Sequence, residues 1–439
     1  MDINRKVFSM HDQSTILSLP HRLIRRGVVV AALAATSWTA YGAADATTED
    51  VATKLEHLTE QVEALKTELD AVKNAPVAPT PTPAANAEQQ ATNPIFFGYG
   101  ELTYTQPAGD ASTAVADLTR FVLGVGYRFD ESTRLVSEIE IEHAVSSSED
   151  PGEVEIEQAY IERDLTHGIF AKAGLFLVPV GLLNESHEPT RYYGVFRNFV
   201  ETAIIPTTWR EGGVALQGDT SIGLSWNVGL TTGFNLSKWD ATSTEGQESP
   251  LGSIHQELAL ASAEDISGFL AANYSGVPGL RAGASLFTGG AGQNQPGFKD
   301  ARVTLWETHG TWAPGNFDLA ALYAHGHISD TQAINTTLVG NPTLIPEDFF
   351  GWYVQAAYRL PFHDALSLAP FIRYERFNTA SSYTEIAAGL TPAVQEDKKV
   401  LTSGFNFYVA PGVVLKADYQ DFRDDSNTDR FDLGLGYQF

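Results

Sequence analysis

The sequence predicts an all-β transmembrane fold, an antiparallel up-and-down barrel of about 16 strands preceded by a short coiled-coil helix. Three observations predict it: apolar and polar residues alternate along most of the chain, its connections alternate between short and long, and residues 429–439 form an amphipathic strand. In that strand Phe431, Leu433, Leu435, Tyr437 and Phe439 share the apolar face. A strand of a soluble β-sandwich is the alternative that this pattern alone leaves open.

Composition supports a barrel and limits the classes of partner. The chain of 439 residues has 38 Gly, 24 Phe, 16 Tyr and 7 Trp, yet its mean hydropathy is −0.13, as expected when apolar residues alternate with polar ones. There is no cysteine, which excludes disulfides and a lipid attached to cysteine. The formal net charge of −26 argues against a nucleic-acid partner, because phosphate binding needs clustered Lys and Arg.

An export signal is predicted at the amino terminus, residues 1–44. The apolar stretch 27–35 follows a basic region and precedes small residues, and it is too short to span a bilayer, which takes about 20 residues. We expect cleavage between Gly42 and Ala44. Translation from Met10 and export by a twin-arginine route through Arg25 and Arg26 are alternatives.

Residues 45–74 are predicted to form a periplasmic coiled coil. Apolar residues recur there at alternating spacings of four and three: Val51, Leu55, Leu58, Val62, Leu65, Leu69 and Val72. About three heptads are marginal alone, so the coil would depend on an oligomer held together by a trimeric barrel. An amphipathic helix lying on the barrel is the alternative. The Pro/Ala-rich residues 75–94 are expected to be a semi-extended spacer.

The barrel itself is predicted over residues 95–439. Alternating segments bounded by turn residues suggest sixteen strands, at 96–105, 118–129, 133–145, 153–165, 169–178, 209–218, 222–234, 265–274, 280–289, 301–312, 317–328, 349–360, 365–377, 400–410, 413–422 and 429–439. Short connections such as 130–132 and 411–412 alternate with long polar ones such as 235–264. Short periplasmic turns and long external loops are typical of outer-membrane barrels.

One long connection, the third external loop at about 179–208, is too apolar for a freely exposed loop. We expect it to fold inward against the barrel wall and to narrow the lumen. A lid over the mouth and a contact between subunits are the alternatives. Its polar residues are then candidates for the constriction: Glu185, His187, Glu188, Arg191, Arg197 and Glu201.

Strand parity predicts which charged side chains face the lumen, because a charge facing lipid near the midplane costs a few kcal/mol. On the fourth strand, parity assigns Tyr160 to the lipid face. The acidic pore-lining candidates are Glu138, Glu140, Glu142, Glu153, Glu155 and Glu157. The basic candidates are Arg120, Arg128, Arg359, Arg373, Lys416 and Arg430. If these acidic and basic side chains lie opposite each other in the lumen, they create a transverse electric field across the channel. If they lie at the mouths of the barrel, they only keep the mouths hydrated.

Several stretches resemble one protein family. GLFLVPVG, RYYGVFRNFVE, IIPTTWREGGVALQG and the terminal FDLGLGYQF resemble the phosphate-selective porin O and P family, and the coiled coil with its spacer is similar to dicarboxylate-type trimeric porins. The resemblance implies a trimeric, water-filled channel of 16 strands that its third loop constricts. Phosphate members of the family line the lumen with an Arg ladder and a Lys cluster. From Ile95 onward this chain has 6 Lys and 14 Arg against 43 Asp and Glu, a net charge of −23.

The expected function is therefore a porin of the Gram-negative outer membrane, through which small hydrophilic solutes or ions diffuse passively. The net charge suggests a mild cation preference. An anion-, phosphate- or dicarboxylate-selective porin and a plugged barrel serving as an anchor or adhesin are alternatives. The expected partners are membrane lipid, two further copies of the chain and the solutes.

No enzymatic activity, catalytic residue, cofactor or metal site is expected from the sequence. It contains no G-x-S-x-G motif. The only close histidine pair is His325 and His327, which share one strand face. Near a strand end such residues are more often solvated than bound to metal.

Overall fold

The computed structural model describes Glu63 and residues 94–147, 150–166, 168–363 and 366–439. The predicted signal peptide at 1–44, the coiled coil at 45–74 apart from Glu63, and the spacer at 75–94 apart from Pro94 lie outside the described residues.

The wall is a closed barrel of sixteen antiparallel strands, each paired with its neighbours in sequence. One strand, β12, consists of two segments separated by Arg359, and both pair with the next strand. The predicted fold class is thus confirmed. The strands are β1 Ile95–Pro107, β2 Val115–Arg128, β3 Thr133–Glu142, β4 Val154–Thr166, β5 Ile169–Leu177, β6 Arg210–Asp219, β7 Leu224–Thr232, β8 Ile266–Tyr274, β9 Leu280–Gly290, β10 Arg302–Trp312, β11 Phe317–Ile328, β12 Asp348–Tyr358 with Leu360–His363, β13 Leu366–Ser382, β14 Lys398–Ala410, β15 Val413–Phe422 and β16 Arg430–Gln438.

The barrel closes where the last strand pairs with the first. The pairing of β1 with β16 runs from Tyr99 opposite Gln438 to Pro107 opposite Arg430. Beyond it, the Gly98 amide donates to the Phe439 carbonyl at 3.1 Å, and the Phe439 amide donates to the Gly98 carbonyl at 2.9 Å. Closure removes the free edges that would otherwise pair with other chains.

Side-chain alternation follows the predicted parity along most strands, with one correction on β4. Val154 and Ile156 are exposed on the outer face as expected, but Tyr160 is only 1% exposed and points inward. The cause is a β-bulge: Ile139 pairs with Ile156, whereas its neighbour Glu138 pairs with Gln158. The extra residue, Glu157, reverses the parity of the rest of the strand.

The connections are short at one end of the barrel and long at the other. Pro411 and Gly412 form one of the two-residue connections, and the φ of +77° at Gly412 suits glycine. The long connections contain the helices, and among the described residues no helix combines the length and apolarity needed to cross a membrane. These are α1 Glu245–Glu248, α2 Thr331–Leu338, the 3₁₀ turns Ala111–Thr113, Leu236–Lys238, Gly252–Ile254 and Ser426–Thr428, and the π turn Val200–Ile204.

Candidate functional site

Residues 178–209, which join β5 to β6 and which we call the inner segment, lie inside the barrel. Their polar groups bond to inward-facing side chains on strands far away in the chain, including Glu101 of β1, Tyr353 of β12 and Asp418 of β15. The connection is apolar because most of its large side chains are buried against the wall or against each other.

The end of the inner segment that leads into β6 is held by aromatic packing. Trp209 is fully buried, with its ring centroid 5.1 Å from that of Phe234 and 4.5 Å from that of Phe287. We call these three rings the aromatic anchor. The Asn184 amide joins the ends, because it donates to the carbonyls of Val178 and Trp209 at 2.7 and 2.8 Å and accepts from the Trp209 amide at 2.7 Å.

The middle of the inner segment is held by polar side chains of the opposite wall. The Val195 amide donates to Asp418 Oδ2 at 2.5 Å, and the Gly194 amide donates to Asn406 Oδ1 at 3.2 Å. Asn406 Nδ2 in turn donates to the Tyr192 carbonyl at 2.9 Å. Backbone groups that leave a sheet must find partners, and here the wall of β14 and β15 supplies them.

Two neighbouring residues of β13 continue this contact. Arg373 Nη1 donates to the Tyr193 carbonyl at 3.0 Å, and Glu375 Oε1 accepts from the Phe199 amide at 2.6 Å. Arg373 Nε and Glu375 Oε2 also form a buried ion pair at 2.8 Å. We call Arg373, Glu375, Asn406 and Asp418 the polar anchor.

Glu201 holds the inner segment together from within. Its Oε1 accepts from the amides of Leu182 and Leu183 at 2.6 and 2.7 Å, and its Oε2 accepts from Asn198 Nδ2 at 2.8 Å and from the Tyr353 hydroxyl at 3.0 Å. Glu201 lies outside the membrane-spanning strands, and burial raises the pKa of its carboxyl group. Glu201, a candidate for the constriction, is 4% exposed and braces the segment.

His187 joins the inner segment to the acidic side of the wall. Its Nε2 lies 2.7 Å from Glu157 Oε1 and 2.6 Å from the Tyr99 hydroxyl, while its Nδ1 lies 2.9 Å from the Asn184 carbonyl. Tyr99 donates to Glu157 Oε2 at 3.0 Å. Glu157 keeps the inward parity of Glu155 and is itself the bulge residue of β4.

The acidic candidates occupy different environments. Glu138 and Glu140 are buried on the inner wall, where Glu138 Oε2 accepts from Gln158 Nε2 at 2.6 Å and Glu140 Oε1 lies 3.3 Å from Arg120 Nη1. Glu155 pairs with Arg210. Glu142 and Glu153 lie at the loop end, where the Glu142 amide donates to the Glu153 carbonyl at 2.9 Å and Glu153 is exposed. The acidic candidates are thus divided between the buried wall and the mouth.

Most of the basic candidates are also paired or packed. Arg120 Nε lies 2.8 Å from Glu101 Oε1, and Arg430 Nε lies 3.2 Å from Asp432 Oδ2. Lys416 Nζ lies 3.6 Å from the ring centroid of Tyr192.

Two basic candidates lie toward the turn end of the barrel. Arg359, between the segments of β12, stacks 4.4 Å from the Tyr408 ring, and Arg128 Nη1 donates to the Glu131 carbonyl at 3.3 Å. Arg373, described above, belongs to the polar anchor.

The remaining constriction candidates differ in exposure. Glu185 Oε1 lies 3.9 Å from Lys172 Nζ, Glu188 Oε1 accepts from Gln438 Nε2 at 2.9 Å, and Arg191 is exposed. Arg197 is buried and donates to the hydroxyl groups of Thr207 and Thr208.

Several residues that position this site are not among the candidates predicted from the sequence. Strand parity could have found Glu101 and Asp418, because both alternate with apolar residues on amphipathic strands. No local pattern distinguishes Asn184 or Asn406, whose roles depend on contacts with distant segments.

The histidine pair lies away from the inner segment. His325 and His327 alternate with buried inward-facing residues and therefore lie on the outer face of β11. They flank Asp348, whose Oδ1 lies 3.6 Å from His325 Nε2 and 2.8 Å from His327 Nδ1.

Comparisons with known proteins agree with this architecture. The family model for "Phosphate-selective porin O and P" matches residues 273–439, which contain β9 to β16 but not the inner segment. An uncharacterized protein of Aquifex aeolicus (strain VF5) is 29% identical over 369 residues, covering 81% of this chain and 83% of that protein.

Solved structures establish the fold independently. The structure of Salmonella typhi OmpF in complex with Daunomycin gives a TM-score of 0.55 at 16% identity, covering 80% of this chain and 98% of that chain. A loop-deletion mutant of OmpT, an outer membrane protein of Vibrio cholerae, gives a TM-score of 0.50 at 14% identity, covering 80% of this chain and 100% of that chain. The resemblance to the phosphate-selective porin O and P family is confirmed over residues 273–439, and the fold is that of an outer-membrane porin.

Proposed function

We propose that this chain is a non-enzymatic porin that lets small hydrophilic solutes and ions diffuse passively across a Gram-negative outer membrane. The observation that carries the proposal is the inner segment, which enters a closed barrel and bonds to its polar inner wall through both anchors. Such a segment narrows a channel and keeps the opening rigid. The short turns would face the periplasm and the long loops the outside.

Purified protein in planar lipid bilayers tests this function. We expect stepwise single-channel currents that grow in proportion to salt concentration, as in a water-filled pore. A barrel that inserts and passes no current would instead favour the anchor or adhesin alternative. Protease and lipase assays on the same preparation would overturn the non-enzymatic assignment if they showed turnover.

The ion preference follows from the charge of the wall. From Ile95 onward the net charge is −23, and the inward cations Arg120, Arg373 and Arg430 are each paired with a carboxylate. We therefore propose a mild preference for cations. Reversal potentials in a KCl gradient measure it, and clear anion selectivity would contradict it.

A second candidate, an anion-selective channel, is favoured by one observation. Lys416 Nζ, Arg373 Nη2 and the Nε and Nη2 of Arg197 are buried and have no hydrogen-bond partner among the described residues. A permeating phosphate or carboxylate would satisfy these donors once the side chains that cover them move aside. Under this candidate, phosphate or a dicarboxylate reduces the KCl current, and Arg197→Gln weakens that block. If neither anion affects the current, this candidate fails.

We further propose that the porin is a homotrimer that the predicted coiled coil at 45–74 reinforces from the periplasm. Deleting residues 51–72 should lower the temperature at which the oligomer dissociates and leave the conductance of each pore unchanged, since the barrel starts only at Ile95. Loss of the pore on deletion would contradict this arrangement.

A further inference from the structure

The polar contacts of the inner segment are concentrated on one side of the barrel. Most of its hydrogen bonds and ion pairs with the wall go to β1, β4 and β11 to β16, for example to Glu101, Glu157 and Asp418. The passage that remains in the lumen is therefore to be sought on the other side, along β6 to β8.

A cavity lies on that side, between the beginning of the inner segment and the wall. Its lining includes Pro179 and Glu185 of the segment and Gln217, Ser225, Asn227 and Asn273 of β6 to β8. These four wall residues carry amide or hydroxyl groups, and none of them is charged. The cavity thus differs from the inner wall of β3 and β4, where carboxylates predominate.

One amide in the cavity has an unused acceptor. Asn227 is 9% exposed, and its Oδ1 has no hydrogen-bond partner among the described residues. A buried oxygen without a donor is costly, so water or a solute in the cavity must supply the missing hydrogen bond. Asn227 therefore marks a point of contact for whatever occupies the cavity.

A second amide supplies a donor nearby. Asn273 Oδ1 accepts from Arg281 Nε at 3.0 Å and lies 2.7 Å from His309 Nε2, which leaves the Asn273 Nδ2 group as a donor. Asn227 lies opposite Ala271, two residues before Asn273 on the same strand. Such diagonal neighbours are about 7–8 Å apart, and the small side chain of Ala271 leaves the space between the two amides open.

The charges around the cavity are paired with each other. Glu185 Oε1 lies 3.9 Å from Lys172 Nζ. Glu162 Oε2 accepts from Gln217 Nε2 at 3.0 Å, and the same carboxylate pairs with Arg134. Selection by charge is therefore weak at this point, and recognition depends on hydrogen bonds.

Hydroxyl groups suit this arrangement. A hydroxyl group both donates and accepts, so it can donate to Asn227 Oδ1 and accept from Asn273 Nδ2. Glu185 adds a carboxylate acceptor from the inner segment on the facing side of the cavity. A solute with several hydroxyl groups on neighbouring carbons can engage these groups together, whereas an ether oxygen, which only accepts, cannot bond to Asn227 Oδ1.

We infer that this cavity is a contact site for uncharged, polyhydroxylated solutes such as monosaccharides, and that Asn227 and Asn273 are the residues that recognise them. The inference rests on the proposed function as a porin and adds a class of solute to it. The two fail separately, because a chain that conducts without any preference for hydroxyl groups is a porin that lacks this site.

Planar bilayers with glucose added to a KCl solution test the inference. Triethylene glycol is the control solute, because it is of similar size but has few hydroxyl groups and lowers the current mainly by filling the pore. At equal concentration, we expect glucose to lower the single-channel current several-fold more than triethylene glycol does. Equal reductions by the two solutes would overturn the inference, and a complete absence of current would refute the channel and the site together.

Substitutions locate the effect. Asn227→Leu removes the unused acceptor at similar volume, and we expect it to weaken the glucose effect roughly five-fold, as for the loss of one hydrogen bond. Asn227→Ser keeps a hydrogen-bonding group and should retain most of the effect. The control Gln355→Leu removes an amide from the inner face of β12, away from the cavity, and should leave the effect unaltered.

Two results of this series would contradict the inference. One is a glucose effect that Asn227→Leu does not weaken, and the other is an equal weakening by Gln355→Leu. The comparison of glucose with triethylene glycol on the unaltered chain needs no variant, so it decides the matter even if Asn227→Leu does not fold.

Discussion

The inner segment is attached to the barrel in two different ways. The end that leads into β6 is held by the aromatic anchor of Trp209, Phe234 and Phe287, which are all at most 1% exposed. Its middle combines ring stacking, as between Phe199 and Phe377 at 5.3 Å, with the hydrogen bonds of the polar anchor, such as the one from the Val195 amide to Asp418. Apolar burial is strong and has no direction, whereas hydrogen bonds contribute little net energy and are directional.

This difference indicates a division of labour between the two anchors. We expect the aromatic anchor to hold the β6 end of the segment mainly through apolar burial. The polar anchor determines where the middle of the segment rests, because a hydrogen bond is lost after a shift of about 1 Å. Stability and channel width should therefore respond to different substitutions.

The largest effect is expected from Trp209→Ala. Removing a fully buried tryptophan costs about 3–5 kcal/mol of unfolding free energy, because the transfer energy is lost and a cavity remains. Guanidinium unfolding followed by circular dichroism measures it. The control is Trp312→Ala, which removes an outward ring that is 50% exposed. Equal losses for both variants would show that Trp209 does not anchor the segment.

An intermediate effect is expected at Glu201, the brace within the segment. Glu201→Ala leaves the buried amides of Leu182 and Leu183 without an acceptor, at about 1–3 kcal/mol each, so the segment should loosen and single-channel conductance should rise.

Glu201→Gln is the matched control for this substitution. Burial raises the pKa of Glu201, so the docked segment binds the proton more tightly than a solvated carboxyl group would. Lowering the pH until Glu201 binds a proton therefore favours the docked position of the inner segment. A neutral glutamine that keeps one oxygen acceptor should conduct like the wild type. A glutamine variant as open as the alanine variant would show that only the charged form braces the segment.

The smallest effect is expected in the polar anchor. Asn406→Ala removes hydrogen bonds to Gly194 and Tyr192, at roughly 1 kcal/mol each, so stability should fall by less than in Trp209→Ala. Single-channel conductance should nevertheless change, because the middle of the segment is free to shift. Asn427→Ala, on an exposed loop, is the control. A large stability loss with unaltered conductance would reverse the proposed division of labour.

Much of the wall was predictable from local patterns. The sixteen crossings, the inward position of Arg430 and Asp432 and the closing role of residues 429–439 follow from period-two alternation, because adjacent residues of a strand must point to opposite faces. The exception on β4 shows the limit of this rule. A single bulge residue, Glu157, turned Tyr160 inward, and bulges have no signal in an alternation of Glu, Ile and Val.

The candidate site was predicted less completely than the wall. The apolar run at 179–208 indicated an inward fold, yet the role of its charged residues depended on their neighbours. Glu201 and His187 were expected beside the lumen, whereas one braces the segment and the other bonds to Glu157 and Tyr99. Their partners lie up to 152 residues away in the chain.

By itself, the sequence determined the class of fold, the number of crossings and the two faces of each strand, because these depend on neighbouring residues and on the need to keep charges out of lipid. Only the tertiary structure decided which inward charges are buried beneath the inner segment and which remain at the mouths. Those properties arise when distant strands close into a cylinder. Asn406 and Tyr192, separated by 214 positions, become hydrogen-bond partners only there.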